Sequence, residues 1–226
     1  MPHIHLINNK TLLLQCIFDE AYEITPQWFK PDYWQSINCI TGKSTGRATT
    51  YFVKHPHFKG LVLRHYYRGG MVRHFLKDTY FYTGIKNTRV FAELDILEKL
   101  NEWGLAAPKP VAGLISRSGL CYRADLLMEQ IPNARDLFQE LKAGRLSAKT
   151  WESIGQTVAQ FHQHGVYHAD LNCHNIMRDN KGKIWLIDFD RASLEPAGTG
   201  WAAENIGRLY RSLVKEQERK SVFYFD

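Results

Sequence analysis

Residues 167–190 read "YHADLNCHNIMRDNKGKIWLIDFD". Two apolar runs stand in this stretch, and acidic or amide residues border each, with Asp170, Asn175 and Asp188 at the tips. Between the runs, Asn180, Lys181 and Gly182 have the composition of a tight turn, so the segment reads as a short hairpin. Such a hairpin carries the three oxygen-bearing side chains to one edge. The plainer alternative is a turn in which all three merely cap backbone groups. Agreement in residue type, order and spacing favours a chemical role.

Phosphoryl transfer asks for this set of groups. An acceptor hydroxyl must be oriented and relieved of its proton, which a carboxylate can do. The nucleotide phosphates need Mg²⁺, held by hard oxygen ligands. "HADLNCHN" matches the kinase catalytic-loop pattern H-R-D-L-x-x-x-N, with Asp170 as the acceptor-side carboxylate and Asn175 as a metal ligand. In "LIDFD", Asp188 ends an apolar strand where the D-F-G aspartate of kinases holds Mg²⁺. His168 takes the position of the loop histidine, a structural one.

Outward from this segment, the chain divides into two kinds of pattern. Upstream, "TLLLQCIF", "ATTYFVK", "GLVLRHYY", "VAGLIS" and "CYRADLLMEQI" read as strands of an antiparallel sheet. One helix interrupts them, "TRVFAELDILEKLNEWG", with Phe91, Leu94, Leu97 and Leu100 as its apolar stripe and Gly104 as its stop. Pro132 and Asn133 in "IPNARD" mark a hinge. Then come a helix capped by Ser147 and ended by Gly165, the opening segment, and a last helix, "WAAENIGRLYRSLVKEQ". The expected fold is α+β and two-lobed, protein-kinase-like. Its parts are an antiparallel-sheet N-lobe over residues 1–127, a hinge over 128–133 and a short helical C-lobe over 134–226, with a cleft between the lobes.

Supporting positions follow from that frame. Gly42 and Gly46 in "TGKSTGRATTYFV" offer a glycine-bearing turn over the nucleotide phosphates, although they depart from G-x-G-x-x-G; an ordinary hairpin turn explains them equally well. "GKS" is not a Walker A loop, because Ile37 stands where that pattern needs glycine. Arg64 stands where kinases carry the strand lysine; it keeps the charge with a wider, forked head. Glu93, on the following helix, is its expected ion-pair partner, the alternative being a solvated pair with Arg89. Met128, where the hinge begins, completes the nucleotide-binding set.

Composition bounds the partners. The chain has 226 residues with 44% hydrophobic content, enough for a substantial core. Lys and Arg number 29 against 23 Asp and Glu, a formal charge of +6. That excess suits phosphate-bearing ligands or an anionic surface and is too small to argue for nucleic acid. Cys16, Cys39, Cys121 and Cys173 are scattered and read as reduced thiols. Paired histidines (His55 with His57, His162 with His164) lack the cysteine or carboxylate company of a zinc site. No run approaches the roughly 20 apolar residues of a membrane span, so any membrane contact is expected at the surface. Trp28, Phe29, Tyr33 and Trp34 offer an interfacial aromatic group, or else core for the front lobe. Arg208, Arg211 and Lys215 share a helix face suited to an anionic leaflet or to plain solvation. Arg64, Arg68, Arg73 and Lys77 lie in a basic, aromatic run that could meet acceptor phosphates, or else form a solvated loop face, which charge runs more often are.

After Asp190 little chain remains, with no A-P-E element to seat a peptide, and Asp190 replaces the glycine of D-F-G. Both features favour an acceptor other than protein. "VLRHYYRGG", "FLKDTYFYTG", "YRADLLMEQIPNARDL", "HADLNCHNIMRD" and "IWLIDFDR" together resemble the 3-deoxy-D-manno-octulosonic acid (Kdo) kinases, in the lipopolysaccharide-kinase branch of the kinase-like fold. The resemblance runs from about Gly42 to Leu213. It implies ATP- and Mg²⁺-dependent phosphorylation of a Kdo hydroxyl, expected at the 4-position, on a Kdo–lipid A precursor. It also implies a peripheral enzyme at the cytoplasmic face of the bacterial inner membrane. The residues by themselves reach a Mg-ATP kinase with a non-protein acceptor. They leave open a heptose or aminoglycoside kinase, or a nucleotide-binding pseudokinase without catalysis.

Overall fold

In the upstream half, side chains that alternate along each strand pack to opposite faces of one antiparallel sheet. The computed structural model describes residues 1–45, 49–68, 78–196, 200–219 and 223–225. Its sheet is built from β1 (His3–Asn8), β2 (Thr11–Gln15), β3 (Ile40–Thr45), β4 (Thr49–His55), β5 (Phe58–His65), β6 (Tyr80–Phe81), β7 (Pro110–Ser118) and β8 (Cys121–Glu129). The order across the sheet is β1-β2-β7-β8-β5-β4-β3, with β6 added beside β8. Every pairing is antiparallel.

The two faces bury different partners. Leu12 and Leu14 of β2, with Leu126 and Met128 of β8, pack against Val90, Phe91 and Leu94 of helix α2 (Arg89–Glu102). Leu13 and Leu127, one residue out of phase, join Trp28, Phe29 and Trp34 on the other face. The close approach of α2 explains Gly113 in β7, where a Cβ would collide with Val90 and Leu94. The aromatic group of the front half thus belongs to the core rather than to an interface. Trp28, Phe29 and Trp34, on a 3₁₀ turn (Pro26–Phe29) and helix α1 (Pro31–Ser36), are buried, and Tyr33 packs partly buried beside them. The Trp34 indole Nε1 donates to the Trp28 carbonyl at 2.6 Å, which satisfies its one polar group inside the core.

The chain separates into two compact units, Met1–Glu98 with Lys109–Gln130, and Lys99–Pro108 with Ile131–Asp226. Within the second are β9 (Ala134–Asp136), α3 (Leu137–Ala143), α4 (Ala148–Gln163), β10 (Val166–Tyr167), β11 (Ile176–Asp179), β12 (Ile184–Leu186), β13 (Ser193–Leu194) and α5 (Trp201–Arg219). Ser147 caps α4, its hydroxyl accepting from the Thr150 amide at 3.2 Å, and Asp136 caps α3 through the Gln139 amide at 2.7 Å. Gly165 ends α4 with φ +74°, and a Cβ there would sit 2.7 Å from the Glu195 carbonyl, so both backbone and space require glycine. The architecture is mixed α+β, consistent with the kinase-like expectation. Among the elements that sequence reading did not single out are β1, whose residues are all exposed, and α3, only seven residues long. All four cysteines are free thiols.

Candidate active site

The opening hairpin forms as its composition predicts. β11 and β12 pair antiparallel with Ile176 opposite Leu186, and Gly182 turns the chain with φ +82°. One step beyond the ladder, the Ile187 amide donates to the Asn175 carbonyl at 3.0 Å. Asn175 and Asp188 are thereby held on adjacent strand ends. Asp179 organises the turn, its carboxylate accepting from the Lys181 and Lys183 amides and from Trp185 Nε1 at 2.9–3.0 Å. These donors outweigh the opposing effect of desolvation and hold its pKa below the usual carboxylate value.

The loop from His168 to Asn175 is wired to this hairpin by buried groups. His168 Nε2 lies 2.9 Å from the Ile187 carbonyl, while its Nδ1 accepts from the Asp170 amide at 3.2 Å. A neutral imidazole protonated at Nε2 satisfies both bonds, and burial lowers the His168 pKa and favours that neutral form. Asn175 Nδ2 donates to the Asp170 carbonyl at 2.9 Å, and Asn172 Nδ2 donates to the same oxygen at 3.0 Å. His168, Asp170, Asn175 and the residue before Asp188 therefore form one hydrogen-bonded hub. Leu171 and Cys173 are fully buried and pin the loop from below. Phe189 is buried as well, stacked on Phe161 with ring centroids 5.7 Å apart and tilted against His168 at 5.0 Å. Asp188 itself has φ +64°, a left-handed backbone that costs a non-glycine residue about 1–2 kcal/mol. Such a conformation persists where its surroundings overdetermine it, and here Phe189 and the Ile187 bonds do so.

Helix α5 touches the loop at three points that sequence reading missed. The buried Asn205 donates from Nδ2 to the His168 carbonyl at 2.7 Å, and its Oδ1 lies 3.1 Å from His162 Nε2. Ser212 Oγ accepts from the Cys173 amide at 3.1 Å. Between them Arg208 Nη1 lies 3.8 Å from Asp170 Oδ1. Arg208, expected to face a leaflet or solvent, is thus next to the Asp170 carboxylate. The shared face of Asn205, Arg208 and Ser212, spaced i, i+3 and i+7, was the available signal.

In the other unit, Arg64 lies in β5 between Thr50 and Leu126. Its Nη2 meets Glu93 Oε2 of α2 at 2.5 Å, and the Tyr66 hydroxyl donates to the same oxygen at 2.5 Å. Glu93 is 2% exposed. Burial and the Glu93 carboxylate push the Tyr66 phenol well above its ordinary pKa, so it stays a donor. Gly42 differs from expectation. It lies within β3, opposite Phe52, and not in a turn, because the β3–β4 ladder continues to Thr45 and Thr49. Gly46 lies outside the described residues, as do Arg73 and Lys77. Met128 is buried in the core beside α2. The Arg68 guanidinium lies over the Tyr80 ring at 4.9 Å.

The donor chemistry fits Mg²⁺. Asn175 uses its amide nitrogen on the Asp170 carbonyl, so its Oδ1 could serve as a ligand atom, and the Asp188 carboxylate could supply further oxygens. Among the described residues no three His, Cys, Asp or Glu side chains gather into a cage. Mg²⁺ needs none, since one or two protein oxygens and the substrate phosphates commonly hold it.

The model of the lipopolysaccharide kinase (Kdo/WaaP) family matches residues 31–222. Over 211 residues the chain is 43% identical to a protein from Vibrio vulnificus (strain CMCP6) named 3-deoxy-D-manno-octulosonic acid kinase, covering 92% of this chain and 89% of that one. A protein of the same name from Haemophilus influenzae (strain 86-028NP) is 40% identical over 212 residues, 91% of this chain and 88% of its own length. Another, from Photobacterium profundum, is 41% identical over 196 residues, 87% and 82% of the two chains.

Proposed function

The chain belongs to the lipopolysaccharide kinase (Kdo/WaaP) family, and we propose that its acceptor is a Kdo hydroxyl, expected at the 4-position, on a Kdo–lipid A precursor. It is a phosphotransferase acting on a hydroxyl group, and the family implies ATP as donor. The observation that carries the reading is Asp170. Its side chain is 61% exposed on a loop whose backbone is fastened by His168, Asn175 and α5. A carboxylate so placed can meet a substrate hydroxyl without moving.

In the proposed reaction Asp170 accepts a hydrogen bond from the acceptor hydroxyl and takes its proton. The alkoxide oxygen bonds to the γ-phosphorus as the bond to the β–γ bridging oxygen breaks, and ADP leaves with that oxygen. Positioned general bases of this kind contribute roughly 10²–10⁴ in rate. Asn175 and Asp188 would hold Mg²⁺, which neutralises phosphate charge when bound. Arg64, paired with Glu93, whose same oxygen accepts from the Tyr66 hydroxyl, would contact phosphates. Gly42 and Gly46 would lie along the nucleotide, and Met128 would offer at most an apolar wall. Work in lipopolysaccharide core synthesis at the cytoplasmic face of the inner membrane, as a peripheral protein, follows from the acceptor. Among the described residues no helix is long and apolar enough to cross a membrane.

The test is transfer of labelled γ-phosphate from ATP to a Kdo–lipid acceptor, beside acceptor-free and Asp170→Asn controls and a panel of heptose and aminoglycoside acceptors. Label on the Kdo–lipid that needs both acceptor and Asp170 is the expected result. Label confined to another sugar would replace the proposed acceptor, and no transfer to any would make the chain a nucleotide-binding pseudokinase.

A further inference from the structure

Resting on the Kdo acceptor, we infer that Arg208 binds the carboxylate of the acceptor sugar and sets the preference for a sugar acid. Three residues of one α5 face reach the catalytic loop. Asn205 anchors the His168 carbonyl and Ser212 anchors the Cys173 amide, so the helix cannot slide or turn against the loop. Arg208 lies between these anchors, and its guanidinium reaches to 3.8 Å from Asp170. Asp170 is where the acceptor hydroxyl must arrive, so a cation at that distance borders the acceptor itself.

The pair with Asp170 is not a closed structural salt bridge. At 3.8 Å it exceeds hydrogen-bond length, and the two side chains are 43% and 61% exposed. Exposed pairs of this kind contribute little. Arg178, by contrast, reaches Glu140 at 3.2 Å in a partly buried pair. An arginine fork satisfied by a single distant oxygen gains by exchanging it for a carboxylate that offers two. The acceptor named for the relatives is an acid, so its carboxylate supplies the partner. His174 flanks the same loop on the side of Asp136, 3.7 Å from its Nδ1, and its ring packs on Phe138 at 4.7 Å. Among the described residues, Arg208 is the arginine or lysine paired with Asp170 and so the one placed to read the acid.

The experiment measures kcat and KM for the wild-type enzyme, Arg208→Gln and Arg208→Lys, with the native acid acceptor and with its carboxyl methyl ester. Wild type is expected to lose on the order of 10- to 100-fold in kcat/KM on esterification, the range of a hydrogen-bonded charge pair. Arg208→Gln should lose a similar factor with the acid, mainly through KM, and should then use acid and ester equally. Arg208→Lys should restore part of the preference. Unchanged melting of both variants would place the effect on binding. The inference is overturned if Arg208→Gln discriminates acid from ester as wild type does, or if it loses kcat equally on both, which would make Arg208 a positioning residue for Asp170. It is also overturned if wild type treats the two acceptors alike. Absence of transfer to any Kdo acceptor by wild type is a different outcome, since it removes the acceptor itself and the inference with it.

Discussion

Asp170 is mostly exposed and takes its position from buried neighbours, while Glu93 is itself buried and is held by the groups it serves. The first arrangement hangs a reactive side chain on a backbone fastened by His168, Asn175 and Asn205. The second sets a charge inside the packing of sheet and helix, with Arg64 and the Tyr66 hydroxyl on one oxygen. Chemistry and stability should therefore separate at Asp170 and should not separate at Glu93.

The largest expected effect tests the first half of that contrast. Asp170→Asn should lower kcat by about 10²–10⁴ while the melting temperature stays within a degree or so of wild type, since surface changes cost little. A variant with wild-type turnover would remove Asp170 from the reaction, and a collapsed melting temperature would break the separation. Next comes Glu93→Ala, which strands the Arg64 charge and the Tyr66 hydroxyl. Loss of one partner of a buried pair costs about 3 kcal/mol, so both denaturation midpoint and nucleotide affinity should fall. A variant as stable as wild type, measured by urea unfolding, would make Glu93 a functional group with no structural share.

Asn205→Ala falls between the two cases. It leaves the His168 carbonyl without its α5 donor and should destabilise by about 1–3 kcal/mol, with a smaller loss in kcat than Asp170→Asn. Stability lost with turnover intact would show that the loop holds its place without α5. The smallest effect concerns His65, which faces Asp125 at 2.7 Å and Asp78 at 3.2 Å. Burial opposes charge on this imidazole, but the bonds and charges of Asp125 and Asp78 prevail and raise its pKa. Its stabilising contribution is complete below the ordinary histidine value of about 6.5 and fades as pH rises through the higher folded value. The stability gap between wild type and His65→Gln, followed by urea unfolding from pH 5.5 to 9, should narrow with pH; a constant gap would contradict the charged pairing.

Legibility in the sequence followed the range of the interaction. Asn175 and Asp188 could be set side by side because hairpin register follows from a turn and two apolar runs, all within a few residues. Glu93 could be matched to Arg64 because Arg64 stands where kinases carry the strand lysine and Glu93 lies on the helix that follows, where that lysine finds its partner, and the pair forms. Gly42 was misjudged as part of a turn because nothing local says where the β3–β4 ladder stops. The aromatic group around Trp28 and Trp34 stayed ambiguous because the same rings suit a bilayer interface and a core, and only the closing of the sheet's second face chose between them.

By itself the sequence set out the order of the candidate phosphoryl-transfer residues and the strands and helices that carry them, through spacing and periodicity, which are local; the family came from resemblance and not from periodicity. Tertiary structure alone decided that α5 returns to the catalytic loop, that Asn205 and Ser212 clamp it, and that Arg208 ends beside Asp170. No local rule contains that contact, because Asn205 meets His168 across 37 residues and Ser212 meets Cys173 across 39, and packing, unlike periodicity, is a property of the whole chain.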